Sequence, residues 1–216
     1  MPNISILSFY TPDYQDLANI TLLNKDDYCV KNEYEHIKAT TPFGNPDNYY
    51  AFQRIAYLRD LLFNKTNNTD YVWVLNIHTM IMNFNTRVEQ FLDEQHDFYI
   101  SKDVNNINAG SFIIKKTDWS KKWLDFILSK ESSHKNHCWF EQKIMIDNWQ
   151  NQEFKDKIKI LEHPSINSYF YDLYNHTPST PGNFNKGDFV LHLPGLNKQQ
   201  RIDIFTSDRV MKNIIK

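Results

Sequence analysis

Asn76 and His78 leave the end of Tyr71-Val-Trp-Val-Leu75, a run of five apolar residues without alternation. Such a run reads as a strand covered on both faces, which places the polar pair at the strand's carboxyl end. Alternate residues leaving a strand can turn together toward one ligand, and an imidazole is a legitimate donor to Mn2+ or Zn2+. With no carboxylate in the pair, the hard oxygen donors and negative charge of a strong Mg2+ or Mn2+ site are missing. A polar strand end whose groups are satisfied locally would use the same residues, so the pair gains weight only from its company.

That company is threefold. Phe189-Val-Leu-His192-Leu-Pro-Gly195-Leu-Asn-Lys198 is a second apolar run ending in a histidine, then a tight turn and a cation. Such a turn can wrap a pyrophosphate, with His192 as a further metal-side nitrogen and Lys198 neutralising a leaving nucleotide. Asn105-Asn-Ile-Asn108-Ala-Gly110-Ser111 sets amides and a small residue before a strand. One amide can both donate to and accept from a sugar hydroxyl, although a plain turn favours the same residues. Glu141-Gln142 joins a carboxylate to an amide at the start of an apolar helix, where an acidic residue also suits the helix dipole.

The elements that must carry these residues alternate along the chain. A strand over 4–10 is followed by a helix over 14–32, a strand over 34–40 and a helix over 48–63 whose inner face holds Ile55, Leu58 and Leu62. After the central strand 71–75 the pattern predicts a helix over 86–94, strands over 96–101 and 110–115, and a helix capped by Thr117 or Asp118. A helix over 139–149, strands over 168–171 and 189–192 and a short final helix complete the reading. Alternating strands and helices with short links imply an α/β fold, with a Rossmann-like, mostly parallel central sheet flanked by helices. Ligands of such a sheet bind beyond the carboxyl ends of its strands, where the Asn76-x-His78 and His192 segments fall.

At 216 residues the chain suits one domain. Its 24 basic and 26 acidic side chains leave a formal charge of −2, so no global field draws it to nucleic acid or anionic lipid. Cys29 and Cys138 form no CxxC pair and are expected to be buried thiols of a reducing compartment. Met1-Pro2-Asn3 runs straight into the first strand, with neither signal peptide nor membrane span, so a soluble, cytoplasmic protein is expected. The first strand-helix turn lacks the Gly-rich, Lys-containing loop of a nucleotidyltransferase.

Taken together the segments resemble the galactomannan galactosyltransferase and xyloglucan α-1,6-xylosyltransferase family, with small virus-encoded relatives nearest in size. Asn24-Lys-Asp-Asp-Tyr28-Cys-Val-Lys-Asn-Glu-Tyr34-Glu resembles that family's NKxDYCxxxGYE, and Phe52-Gln-Arg54-Ile-Ala-Tyr-Leu58-Arg its WAKLPLIR. Val72-Trp-Val-Leu-Asn76-Ile-His78-Thr-Met stands where WWMDSDAM does, and Asn108-Ala-Gly-Ser-Phe-Ile-Ile resembles NTGSFLIR. Glu141-Gln142 replaces an Asp-Gln pair, and Val190-Leu-His192-Leu-Pro-Gly195-Leu-Asn-Lys198 resembles VTHFVGCKP. The order of motifs is the same across residues 4 to 200.

The resemblance implies a single GT-A domain, with a nucleotide-binding half over about 1–102 and an acceptor-side half over about 103–216. It implies transfer of a sugar from a nucleoside diphosphate sugar, a UDP-sugar above all, to a hydroxyl of a glycan or glycoprotein. Phe9, Tyr10 and Thr11 would hold base and ribose, Arg54 the donor phosphate or sugar, and Asp103 and Asn108 the donor sugar. Asn76 and His78 take the metal-motif positions and His192 the metal-binding histidine, while Glu141 and Gln142 lie under the reacting anomeric carbon. Because Asn-x-His replaces Asp-x-Asp, three outcomes stay open: a transition ion such as Mn2+ on His78 and His192, Arg54 and Lys198 in place of metal, or a degenerate module that only binds. Gln142 would steady a retaining reaction, whereas in an inverting one Glu141, or failing that Asp103, would be the general base.

Overall fold

The first strand, β1 (Ile4–Tyr10), sends Ile6 to one face and Leu7 to the other, and both are fully buried. The same two-faced burial marks β3 (Tyr71–Leu75), where Val72 and Val74 enter the core on one side and Trp73 and Leu75 on the other. These strands therefore lie inside a sheet that must be covered twice. In the computed structural model, which describes residues 2–44, 49–65, 68–177 and 179–216, that sheet has six strands in the order β2-β1-β3-β6-β5-β7. They are completed by β2 (Glu35–Thr40), β5 (Phe98–Asp103), β6 (Asn106–Lys115) and β7 (Ile158–Leu161). Only β6 runs against the others: β3 and β5 both pair with it antiparallel, while β1–β2, β1–β3 and β5–β7 are parallel.

One face is covered by α2 (Tyr50–Phe63), α3 (Asp118–Ser129) and α5 (Phe140–Asn148), whose Phe52, Ile55, Trp123, Leu124 and Ile144 are fully buried against β-strand side chains. The short α4 (Glu131–His134) links α3 to α5. On the other face α1 (Gln15–Asn32) brings Tyr28 against Trp73, Phe84 and Phe189. A two-stranded sheet joins β4 (Thr79–Ile81) to β8 (Val190–His192), antiparallel, with Thr79 opposite His192. After it come α6 (Lys198–Phe205), opened by a capping box of Asn197 and Gln200, and α7 (Asp208–Met211).

Several expectations change. The segment 86–94 is no α-helix: only Val88–Phe91 forms a 3-10 turn, with the Val88 N–H donating to the Tyr34 hydroxyl and its side chain in the core. Residues 168–171 give no regular strand. Ser168 bridges β8 at Leu191, Tyr169 bridges Asn183, and the chain then turns into a 3-10 segment over Tyr171–Tyr174. The helix expected from Asn48 begins at Tyr50, and Asn48 itself lies outside the described residues. Strands β4 and β7 were not anticipated, and β6 begins four residues before the expected Gly110. Cys29 is buried as expected, but Cys138 is exposed beside α5. Among the described residues no helix is long and apolar enough to cross a membrane.

Candidate active site

The end of β3 is fixed by unusually complete hydrogen bonding around one residue. The Asn76 N–H donates to the Gly110 carbonyl at 2.9 Å, and the Asn76 carbonyl accepts from the Lys25 ammonium at 2.8 Å and the Thr79 hydroxyl at 2.7 Å. Its side-chain oxygen accepts from Nη1 of Arg54, and its amide nitrogen lies 3.3 Å from His78 Nε2. Lys25 comes from α1 and is fully buried, which pulls its ammonium down to about 7. The unfolded lysine titrates at its ordinary 10.5. Between these values the unfolded chain holds more protons, so folding is favoured by raising the pH through this window and stability is lost as the pH falls through 7. Urea unfolding should therefore show stability rising from pH 7 toward 10 in the native chain and a flatter profile in Lys25→Met. Parallel profiles would mean that Lys25 is not desolvated when folded.

Arg54, on α2, is the second hub. Its Nη2 donates to Glu141 Oε1 at 2.5 Å and to the Ala109 carbonyl at 3.3 Å, and the two charged side chains are each only 7% exposed. Gln142 accepts from the Ala109 N–H at 3.0 Å, so both residues at the start of α5 are tied to the strand that carries Asn108. A guanidinium holding a carboxylate 87 residues further along the chain and the Asn76 amide at once ties the α5 start to the β3 end.

The two histidines converge. The His78 and His192 rings stack with centroids 4.9 Å apart and planes 23° from parallel, on adjoining segments of the β4–β8 pair. Burial, reinforced by the Arg201, Arg54 and Lys25 charges, pushes His192 down to about 3. His78 is held well below its ordinary value by burial first and then by His192 and the same cations. Both are neutral at pH 7. His192 Nδ1 lies 3.1 Å from Asn167 Oδ1, an acceptor only, so the proton sits on Nδ1 and Nε2 keeps its lone pair. Among the described residues that buried Nε2 has no hydrogen-bond partner. It faces Gly110, where a Cβ would lie 2.2 Å from His192 Cε1.

An amide chain continues from there. Asn167 Nδ2 donates to Asn108 Oδ1 at 3.3 Å, and Asn108 Nδ2 donates to Asp103 Oδ2 at 2.6 Å. Burial raises the Asp103 carboxyl above its ordinary value, and Tyr169 is buried between this carboxyl and the His192 ring, 5.4 Å away, with no partner for its hydroxyl among the described residues.

Further along the chain from His192, Lys198 donates to the Asp13 carbonyl at 2.7 Å, tying the start of α6 to the turn after β1. Tyr10 and Thr11 are part-exposed there, while the Phe9 side chain turns into the core against Tyr57. Beside them Arg201, 7% exposed, donates from Nε to the Leu193 carbonyl at 2.9 Å, with its charge felt by both histidines.

The structure thus gathers Arg54, Asn76, His78, Asp103, Asn108, Glu141, Gln142 and His192 into one connected constellation, with Tyr10, Thr11 and Lys198 on its flank. Sequence reading missed Lys25, Asn167, Tyr169 and Arg201. Lys25 stands in the Asn24-Lys25 motif but carried no periodic signal for burial, Asn167 carried neither, and Arg201 looks like one more charge on a polar helix. A hard divalent ion does not fit these residues. Among the described residues no three of His, Cys, Asp and Glu converge on a point, the stacked imidazoles offer two nitrogens at most, and three buried cations stand nearby.

Residues 93–203 match the family described as galactosyl transferase GMA12/MNN10. The chain belongs to this family. Within the family's curated members it is 24% identical, over 84% of its own length, to the probable alpha-1,6-mannosyltransferase MNN10 of Saccharomyces cerevisiae (strain ATCC 204508 / S288c). It spans 56% of that relative's length. The fold is shared with a glycosyltransferase involved in the glycosylation of the major capsid of PBCV-1, at TM-score 0.73 and 16% identity over 93% of this chain and 97% of that one. It is also shared, at TM-score 0.51 and 13% identity over 92% and 94%, with the galactosyltransferase LgtC in complex with donor and acceptor sugar analogs. This GMA12/MNN10 member therefore has the fold of the GT-A glycosyltransferases.

Proposed function

We propose that this chain transfers a hexose, deoxyhexose or pentose from a nucleoside diphosphate sugar, a UDP-sugar in first place, onto a glycan hydroxyl. The observation that carries the reading is the meeting of His78 and His192 with Arg54 at the β3 end, at the rim where a doubly covered sheet binds its ligands. Residues 1–102 supply the nucleotide side and 103–216 the acceptor side. Tyr10 and Thr11 lie where base and ribose would rest, Asp103 and Asn108 where the donor sugar would. Glu141 and Gln142 stand beneath the anomeric carbon, held there by Arg54 and by the Ala109 N–H.

The diphosphate is met by Arg54, Arg201 and Lys198 rather than by an Asp-x-Asp ion. Guanidinium forks bind phosphate oxygens bidentately, and in a desolvated cleft they stabilise the charge that develops on the leaving nucleotide. His192 contributes a neutral nitrogen acceptor whose direction the Asn167 bond fixes.

The test is a purified sample with a panel of nucleotide sugars, read by donor turnover and by calorimetry. UDP binding should persist in EDTA, and His192→Ala should abolish turnover. Mn2+ alone should bind weakly, and His78→Asp should tighten it. Donor binding that collapses on chelation would overturn the cation-held diphosphate. Selective binding without turnover by the native chain would make it a sugar-nucleotide-binding module instead.

A further inference from the structure

All the large aromatic side chains exposed on the described surface lie in one place. Tyr49 is 37% exposed, Tyr50 44% and Trp139 39%. Tyr49 stacks on Phe140 with centroids 4.0 Å apart and planes 27° from parallel, and meets the tilted Tyr50 ring at 4.4 Å. Tyr50 closes the set edge-on to Phe140 at 6.0 Å. Three rings from two distant segments thus support one another, with Phe140 part-buried against the core while Tyr49 and Tyr50 stay exposed, although burying them would stabilise the fold.

The backbone is strained to hold this arrangement. Phe140 has φ +41°, a left-handed conformation that a bulky side chain avoids and that surrounding structure must impose. The residue after it is Glu141, and Tyr50 stands one helical turn before Arg54 on the same face of α2. The patch therefore continues directly into the Arg54–Glu141 pair. Its phenols and the His137 imidazole, which accepts from the Trp139 N–H at 3.0 Å, give it a polar edge.

A flat aromatic face with polar rims is the chemistry that recognises a sugar ring: the C–H face of a pyranose stacks on it while hydroxyls reach the edges. The base of the donor has its own place beside Tyr10 and Thr11. We propose that Tyr49, Tyr50, Phe140 and Trp139 form the platform on which a pyranose ring of the glycan acceptor stacks, presenting its hydroxyl toward Glu141 and Gln142. The platform rests on the glycosyl-transfer reading, and its test is kept separate from it.

The intact chain is applied to an array of mannan, galactan, xylan and glucan oligosaccharides, and UDP-induced thermal stabilisation is measured on the same preparations. The native chain should bind at least one pyranose class. Tyr49→Leu and Trp139→Leu keep the apolar bulk but lose the aromatic face, and each should weaken that binding roughly tenfold. Tyr49→Phe should retain it, and all three should keep the native UDP shift. Leucine variants that bind glycans like the native chain, or a native chain that binds none of the four classes, would overturn the platform. Loss of the UDP shift in the native chain would strike the donor reading alone, since glycan binding is scored independently of it.

Discussion

Glu141→Ala should destabilise the fold by about 3–5 kcal/mol, among the larger effects a single substitution can have here. The reason is what it leaves behind. Arg54 is buried, and among the described residues Glu141 is the only carboxylate it pairs with; without it the guanidinium keeps there the neutral partners Asn76 and Ala109. Glu141→Gln retains an oxygen in the same place and should cost less. The paired change Arg54→Met with Glu141→Leu should regain most of the lost stability, because a buried ion pair is replaced by apolar bulk of similar size, while leaving the chain unable to turn over donor. Urea unfolding of the four proteins checks this. If Glu141→Ala unfolds at the native midpoint, Arg54 is solvated and the link between β3 and α5 is not what holds the site.

Gly110→Ala comes next in size. Its Cβ would stand 2.2 Å from His192 Cε1, 2.7 Å from Nε2 and 2.8 Å from Asn108 Oδ1. None of these can step aside, since the His192 ring is 1% exposed and stacked between His78 and Tyr169, and Asn108 is bonded on both ends. A loss of about 1–3 kcal/mol is expected from overpacking, together with a loss of turnover as complete as that of His192→Ala. The informative construction is Gly110→Ala with His192→Ala. Removing the imidazole vacates the space the methyl needs, so the double variant should be more stable than Gly110→Ala alone, a non-additivity that only direct contact produces. Additive losses would place His192 elsewhere than against Gly110.

How much of this could be read from the chain depends on where the signal lies. The central Tyr71–Leu75 announces itself because both faces are buried and an unbroken apolar run needs no partner to be recognised, while Ile4–Tyr10 shows itself as a β-rich run broken only by Ser5 and Ser8. His78 and His192 were legible for the same reason, each standing at or just past the end of such a run. The three-residue β4 and β8 that bring them side by side are too short to show any period, so their pairing could not be deduced. Residues 86–94 carry a plausible helical spacing, yet they give only the 3-10 turn Val88–Phe91, so spacing alone did not decide the local structure. Lys25 and Arg201 were invisible as interior charges because a lysine or arginine in a helix is ordinarily on the outside. Their burial depends on carbonyls, those of Asn76 and Leu193, offered by other parts of the chain.

The register that sets Thr79 opposite His192 has a bearing on how the protein is made. The two halves of the pocket come from stretches more than a hundred residues apart, so a nascent polypeptide that has emerged only as far as β3 and β4 possesses half a pocket and no partner to finish it. On the proposed reading, donor capture waits until synthesis has passed His192, and chains stalled on the ribosome one strand earlier should fail to bind a UDP-sugar.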